Sequence, residues 1–116
     1  MDDKAIDLKE FMERVQDDKD LLVELLDIYQ EDFVEKRAAI GDAVKNQDLE
    51  QIKSVAHSMK GSSGNISAKS LHALCLRIEQ SAKNGDANIG SMLTEMDQMF
   101  SKIKENIVEI KQQFKS

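Results

Sequence analysis

Residues 56–65 read AHSMKGSSGN, and the fold of the chain depends on whether this stretch is a linker or part of a helix. Glycine and serine are typical of flexible linkers. If the stretch were a linker, the helix that starts near Leu49 would have only about two or three turns, and its apolar stripe would stop early. Met59 and Ser63 continue that stripe. The pattern therefore predicts one helix from about Leu49 to Asn65.

Four further segments show helical periodicity, and no period-2 run competes with it. Apolar residues at helical spacing mark a short segment around residues 6–15, a long one over about 21–44, one over 67–85 and a last one over about 91–114. Long helices with short connections fold most simply as an antiparallel bundle. The sequence thus predicts an all-α fold, an up-down-up-down four-helix bundle with the short first helix covering one end.

The ends of the two central helices carry capping signals. Asp48, followed by Gln51 three residues later, is a capping-box pattern. We expect Asn65 to take the left-handed conformation that closes the third helix, and Ser67 to cap the fourth. Gly85 marks the end of the fourth helix.

Length and composition limit the class of protein. The chain has 116 residues, no proline, one cysteine and a formal net charge of -6. This length predicts a single domain that spans residues 1–116. The N-terminus is acidic, unlike a signal peptide, and no apolar run approaches the roughly 18 residues of a membrane span. We expect a cytoplasmic protein with no membrane partner, and the single cysteine agrees with a reducing compartment.

Charge is distributed unevenly along the chain. Residues 1–50 hold 7 Lys and Arg against 16 Asp and Glu, a net charge of -9, whereas residues 51–85 hold 5 against 1, a net charge of +4. The acidic total argues against nucleic acid as a partner. Lys53, in the basic stretch, is a candidate to help receive an acidic partner protein.

A helical wheel of the third helix directs His57 away from the core. At about 100° per residue, His57 lies about 150° from the centre of the stripe that contains Ile52, Val55 and Met59. A buried histidine with a purely structural role is therefore disfavoured, because the side chain faces solvent. His72, near the border of the apolar stripe of the fourth helix, is more typical of a spectator or a structural hydrogen-bonding residue.

Two glycines and a lysine share the outward surface beside His57. Gly61 and Gly64 each cost a helix interior about 1 kcal/mol relative to alanine, and the helix itself does not need them. Their lack of side chains leaves a flat patch that another protein can approach closely. Lys60 brings an ammonium group near the imidazole. An exposed imidazole is mostly uncharged and nucleophilic at neutral pH, and a neighbouring cation suits phosphoryl transfer.

At these residues the sequence resembles the histidine-containing phosphotransfer (HPt) domains of multistep two-component signalling. The segment AHSMKGSS follows the family pattern H-x-x-K-G-[ST], and AKSLHALCLRIE resembles the helix that follows it in the family. The resemblance spans about 35 residues, from Ile52 to Asp86. One departure is Ser67, where many family members have glycine.

The resemblance implies a role for each residue of this group. His57 is the expected phosphoacceptor through Nε2, Lys60 the cation that stabilises the phosphate, and Gly61 the residue that gives the partner access. Glu79 stands where the family often has Gln or Glu, able to hydrogen-bond the other imidazole nitrogen and fix the productive tautomer. Together with Lys53 and Gly64, Gly61 is expected to form part of the docking surface for the partner.

The implied function is to relay a phosphoryl group between receiver-domain aspartates. The expected partners are response-regulator receiver domains and a hybrid histidine kinase. The protein would be a monomeric carrier without a kinase domain or a cofactor of its own, and Mg²⁺ is expected on the partner receiver domain. No metal site is predicted in the chain itself, because both histidines lack the Glu-x-x-His pattern and no second cysteine is present.

Two alternatives stay open on the sequence. A helical adaptor or inhibitor of a signalling partner would use the same glycine-cleared face without carrying phosphate. The 116 residues can also be an HPt segment excised from a hybrid sensor kinase, although the initiating MDD and the KQQFKS end suit a complete protein.

Overall fold

The computed structural model describes residues 5–115, and its elements follow the predicted order. The helices are α1 (Leu8–Arg14), α2 (Lys19–Lys45), α3 (Leu49–Asn65), α4 (Lys69–Lys83) and α5 (Gly90–Lys115). No strand occurs between residues 5 and 115, and the predicted all-α class is confirmed. Residues 1–4 and 116 of the predicted single domain lie outside the described residues.

Helices α2 to α5 form the predicted four-helix bundle. α3 packs against α2 and α4, and α5 closes the ring against both of these helices. Connections of three to six residues join the four helices, so each runs antiparallel to the one before it. The short α1 packs on α2 and buries Phe11 completely. The bundle with a short extra N-terminal helix is therefore confirmed.

A small aromatic cluster lies in the core between α2 and α5. The rings of Phe33 and Phe100 are stacked with centroids 3.8 Å apart, and the ring of Tyr29 lies 6.2 Å from Phe33. This packing directs the Tyr29 hydroxyl towards α3, where it lies 3.0 Å from the hydroxyl of the buried Ser63. Burial raises the pKa of Tyr29 well above its usual range, so the phenol stays protonated. The bond ties the helix that carries His57 to α2.

We expect Tyr29→Phe to lower the free energy of unfolding by about 1 kcal/mol, because the buried hydroxyl of Ser63 loses its partner. Ser63→Ala is expected to have a similar effect, since it leaves the phenol without a partner. The double variant should cost less than the sum of the two single variants. Urea unfolding of the four proteins measures these differences, and strictly additive costs would contradict a bond that stabilises the fold.

Each turn between helices ends the preceding helix in the same way. A residue with positive φ follows the helix, and the N–H of the next residue donates to the carbonyl five residues back. Gly85, with a φ of 81°, takes this position after α4, as the sequence predicts. Asp48 caps α3 as predicted by accepting from the amide of Gln51, but its own amide donates to Ala43 instead of completing a capping box.

Two predictions about the turn between α3 and α4 are wrong. Asn65 is the last residue of α3 and is not left-handed; Ser67 holds the positive φ, of 60°. The buried side chain of Ile66 explains the shift of two residues, because the helix continues through Asn65 and so places Ile66 in the core. Ser67 also does not cap α4, since its hydroxyl donates to Oε1 of Glu10 at 2.8 Å, and no side chain caps α4 at Ala68. Glycine adopts a positive φ more readily than serine does.

Candidate functional site

The third helix turns His57 towards solvent. Its buried residues, among them Ala56 and Met59 on either side of His57, face the bundle core. The His57 side chain is 68% exposed, as the helical wheel predicts. The imidazole is therefore accessible to another macromolecule without any movement of the bundle.

The fourth helix brings one carboxylate to both His57 and Lys60. Oε2 of Glu79 lies 3.0 Å from Nδ1 of His57, and Oε1 lies 2.8 Å from Nζ of Lys60. The Glu79 side chain is only 7% exposed, and that of Lys60 is 22% exposed. A buried carboxylate thus bridges two side chains that lie one turn apart on α3. We call these three residues the His57 group.

The charges of the His57 group keep Glu79 ionised. The hydrogen bond from the Lys60 ammonium lowers the pKa of Glu79 below its usual value of 4.5; burial acts in the opposite direction, and the bond to His57 adds to the lowering. Burial of a carboxylate is costly unless it is paired and hydrogen-bonded, and Glu79 has both kinds of contact. At neutral pH it therefore carries a negative charge.

An ionised Glu79 determines which nitrogen of His57 carries the proton. A carboxylate only accepts hydrogen bonds, so Nδ1 must donate to it. In the neutral ring the other nitrogen, Nε2, then holds an unprotonated lone pair. A histidine oriented through one ring nitrogen by a carboxylate is a recurring way to prepare the other nitrogen for chemistry. The geometry provides an exposed nucleophile with a fixed tautomer.

The other predicted site residues lie beside the His57 group but differ in their surroundings. A Cβ added at Gly61 would meet nothing within 4 Å, so the helix surface is open there. A Cβ at Gly64 would instead lie 3.1 Å from Nδ1 of His72, so this glycine leaves room for a side chain of the same chain. Lys53 pairs with Glu50 at 3.3 Å on the outer surface of α3.

Comparison with known proteins identifies the family. A model of the Hpt domain matches residues 24–112, which include all of α3 and α4. The chain belongs to the Hpt domain family. Histidine phosphotransfer in two-component signalling is the function that this membership gives it.

A solved structure shows the same fold as this Hpt domain. Histidine-containing phosphotransfer protein B from Pseudomonas aeruginosa PAO1 matches with a TM-score of 0.83 and 24% sequence identity. The match covers 97% of this chain and 96% of that chain, so it includes the bundle and the short N-terminal helix. A search of curated proteins gives no match.

Among residues 5–115, four large aliphatic side chains on the neighbours of α3 are exposed, and the sequence alone did not identify them. Leu21, Ile28 and Val34 on α2 are 39%, 53% and 63% exposed, and Leu76 on α4 is 37% exposed. Leu76 precedes Glu79 by three residues and so lies on the same side of α4. The only sequence signal for such residues is an apolar side chain away from the core stripe, and the sequence alone does not say which neighbouring helix it faces.

Other possible sites of this Hpt domain lie away from His57 or lack ligands. Between residues 5 and 115, no group of three or more His, Cys, Asp or Glu side chains is placed to hold a metal ion. Within the same residues, no helix combines the length and the apolar character that crossing a membrane requires. A cavity of about 530 Å³ between the N-terminal segment, α4 and α5 contains no residue of the His57 group. Cys75 is fully buried, and burial raises the pKa of its thiol to about 12, as suits a core residue.

Proposed function

We propose that this Hpt domain accepts a phosphoryl group on Nε2 of His57 from an aspartyl phosphate of one receiver domain and returns it to the aspartate of another. One observation carries the proposal: the exposed imidazole donates from Nδ1 to a buried, ionised carboxylate, at 3.0 Å. That contact leaves the lone pair of Nε2 on the accessible side of the ring.

The proposed transfer exchanges one bond to phosphorus for another. The Nε2 lone pair attacks the phosphorus atom, the P–O bond to the receiver aspartate breaks, and the aspartate leaves as a carboxylate. Positive charge then develops on the imidazole, and the Glu79 carboxylate at Nδ1 stabilises it. In the return step a second aspartate attacks the phosphorus, and His57 leaves as a neutral ring with the proton still on Nδ1.

Lys60 contributes positive charge to the His57 group through its contact with Glu79. Its ammonium offsets the charge of Glu79, so an arriving phosphoryl group meets a pair of near-zero net charge instead of a lone anion. The domain has a carrier role in this proposal, with the receiver supplying the reactive aspartate and a Mg²⁺ ion that neutralises phosphate charge. We also propose that a hybrid histidine kinase is the upstream source of the phosphoryl group, and that the protein is a cytoplasmic monomer.

The docking surface in this proposal surrounds His57 and extends onto α2 and α4. Gly61 gives the open approach to the imidazole, and Ile28 and Leu76 supply apolar contact on the two helices that pack against α3. Lys53 lies at the edge and contributes long-range attraction, since its ammonium is already paired with Glu50. Contiguous exposed apolar patches are typical of binding surfaces.

Leu76→Ala is expected to weaken binding of a cognate receiver domain by roughly fivefold or more, the loss of about 1 kcal/mol that a buried interface contact supplies. Val108→Ala is the matched control, because Val108 is 56% exposed but lies on α5, which forms no extensive contact with α3 among residues 5–115. Isothermal titration calorimetry measures both affinities. Equal affinities for the two variants would place the docking surface elsewhere.

The test of the function is phosphoryl transfer itself. A receiver domain is phosphorylated in the presence of Mg²⁺ and mixed with this protein, and intact mass reports transfer. A phosphoryl group on histidine is labile in acid and stable in base, whereas one on serine is stable in acid. Transfer of one acid-labile group supports the proposal. Receivers that bind without transferring would support an adaptor that uses the same surface for binding alone.

A further inference from the structure

A second contact between α3 and α4 lies next to the His57 group. Nδ1 of His72, on α4, lies 2.9 Å from the backbone carbonyl oxygen of Lys60. A carbonyl oxygen only accepts hydrogen bonds, so this ring nitrogen carries the proton and donates it. Because Nζ of Lys60 also binds Glu79, α4 holds Lys60 at both its backbone and its side-chain end.

Gly64 makes room for this contact. A Cβ at position 64 would lie 3.1 Å from Nδ1 and 3.6 Å from Cε1 of His72, so the ring that donates to the Lys60 carbonyl would have to shift by a few tenths of an ångström. Gly64 lies in the last turn of α3 and leaves space there for the ring of His72.

The two cross-helix contacts flank the turn of α3 that carries Lys60. Seven residues, or about two turns, separate His72 from Glu79 on α4, so the two side chains lie on the same side of that helix. His72 reaches across to the carbonyl of Lys60, and Glu79 reaches its ammonium and Nδ1 of His57. Two contacts, about two turns apart on α4, thus hold α3 and α4 at a fixed distance from each other.

We propose that His72 is a positioning residue for phosphoryl transfer, acting through the backbone of Lys60. Its hydrogen bond holds this turn of α3 at the distance at which one carboxylate reaches both Lys60 and His57. The inference rests on the proposed function of His57. Without the bond, the α3–α4 spacing relaxes, and the alignment of Glu79 with His57 becomes less exact. Small misplacements of reacting groups lower rates strongly, so the effect should be visible in the chemical step.

The experiment uses phosphoramidate, a small phosphoryl donor that needs no receiver domain and therefore separates chemistry from docking. Its P–N bond breaks, ammonia leaves, and the phosphorus bonds to Nε2 of His57. We expect His72→Ala and Gly64→Ala to react roughly fivefold more slowly than the wild type, as the loss of one hydrogen bond implies. His72→Asn should stay within about twofold of the wild type, because an asparagine amide N–H can replace the Nδ1 donor.

Two controls separate positioning from a loss of folding. Gly90→Ala is the matched glycine substitution, because a Cβ there would meet nothing within 4 Å, and it is expected to react at the wild-type rate. Circular dichroism sets an assay temperature at which every variant is folded. ¹⁵N NMR of His57 supplies a readout that a merely structural role would not move, since His72→Ala should lower the fraction of the ring with its proton on Nδ1.

The outcomes distinguish the inference from the function on which it rests. If the wild type gains a phosphoryl group on His57 but His72→Ala reacts equally fast, the positioning role is overturned and the function stands. If His72→Asn is as slow as His72→Ala, the hydrogen bond is not the cause, and the inference is overturned as well. If neither phosphoramidate nor a receiver phosphorylates His57 in the wild type, both fail.

Discussion

Replacing His57 with glutamine is expected to abolish phosphoryl acceptance and to leave the bundle intact. Glutamine has no ring nitrogen with a lone pair for attack on phosphorus, so no phosphoryl group can be held at this position. The fold should tolerate the change, because the side chain is 68% exposed and substitutions at exposed positions usually change stability by no more than about 0.5 kcal/mol. Intact mass after incubation with a phosphorylated receiver domain measures acceptance.

Ser58→Ala is the matched control for His57→Gln. Ser58 is the next residue on α3 and is also exposed, so it is a candidate acceptor close to the same partner surface. The control should gain one phosphoryl group, and thermal unfolding should give similar stabilities for both variants. A phosphoryl group that persists in His57→Gln would disprove the assignment and direct attention to His72, the other histidine of the chain.

The helices were predictable because their signals repeat. Across α3, apolar residues recur at helical spacing up to Met59, and the buried Ser63 continues the same face beyond Gly61. The outward direction of His57 follows from the same periodicity, since it lies nearly opposite the stripe. The fold class and the outward direction of His57 on α3 can therefore be predicted from the local pattern of a single sequence.

The turn between α3 and α4 was not predictable from local preferences. Asparagine tolerates the left-handed conformation better than serine, so the sequence favours Asn65 for this position. The structure has Ser67 there, because the helix continues until Ile66 reaches the core and because Ser67 finds a partner in Glu10, 57 residues away along the chain. Packing between distant segments outweighs a local preference of this size.

The internal contacts of the site also depend on how α4 is rotated against α3. A helical wheel of α4 leaves Glu79 at the edge of its stripe, where it can face water or a neighbour. The structure turns it onto α3, so that its carboxylate binds both His57 and Lys60. The role of Gly64 could not be predicted from the sequence for the same reason, because the side chain for which it makes room, that of His72, belongs to the other helix. The roles of these residues depend on how α4 packs against α3, which the pattern within either helix does not specify.

Glu79→Ala is expected to slow phosphorylation of His57 by about 10- to 100-fold, by analogy with metal sites, where removing the carboxylate that orients a ligating histidine has an effect of this size. Without the carboxylate, neither tautomer of the ring is favoured, and the charge that develops on the imidazole is no longer stabilised. Glu79→Gln should fall between this variant and the wild type. Its amide oxygen can accept from Nδ1, but a rotated amide can instead donate to Nδ1 and favour the unproductive tautomer. Rates with phosphoramidate and ¹⁵N NMR of the ring measure both effects.

Glu95→Ala is the matched control for Glu79→Ala, because it removes another cross-helix ion pair, to Arg77 at 3.6 Å, without touching the His57 group. It should react like the wild type. The pH dependence gives a further check. Since Lys60 lowers the pKa of Glu79 below 4.5, the carboxylate stays ionised at every pH above that value, and Glu79 should add no inflection to the rate between pH 5 and 8. A wild-type rate in Glu79→Ala, with the proton still on Nδ1, would show that the carboxylate neither orients nor stabilises the reacting ring.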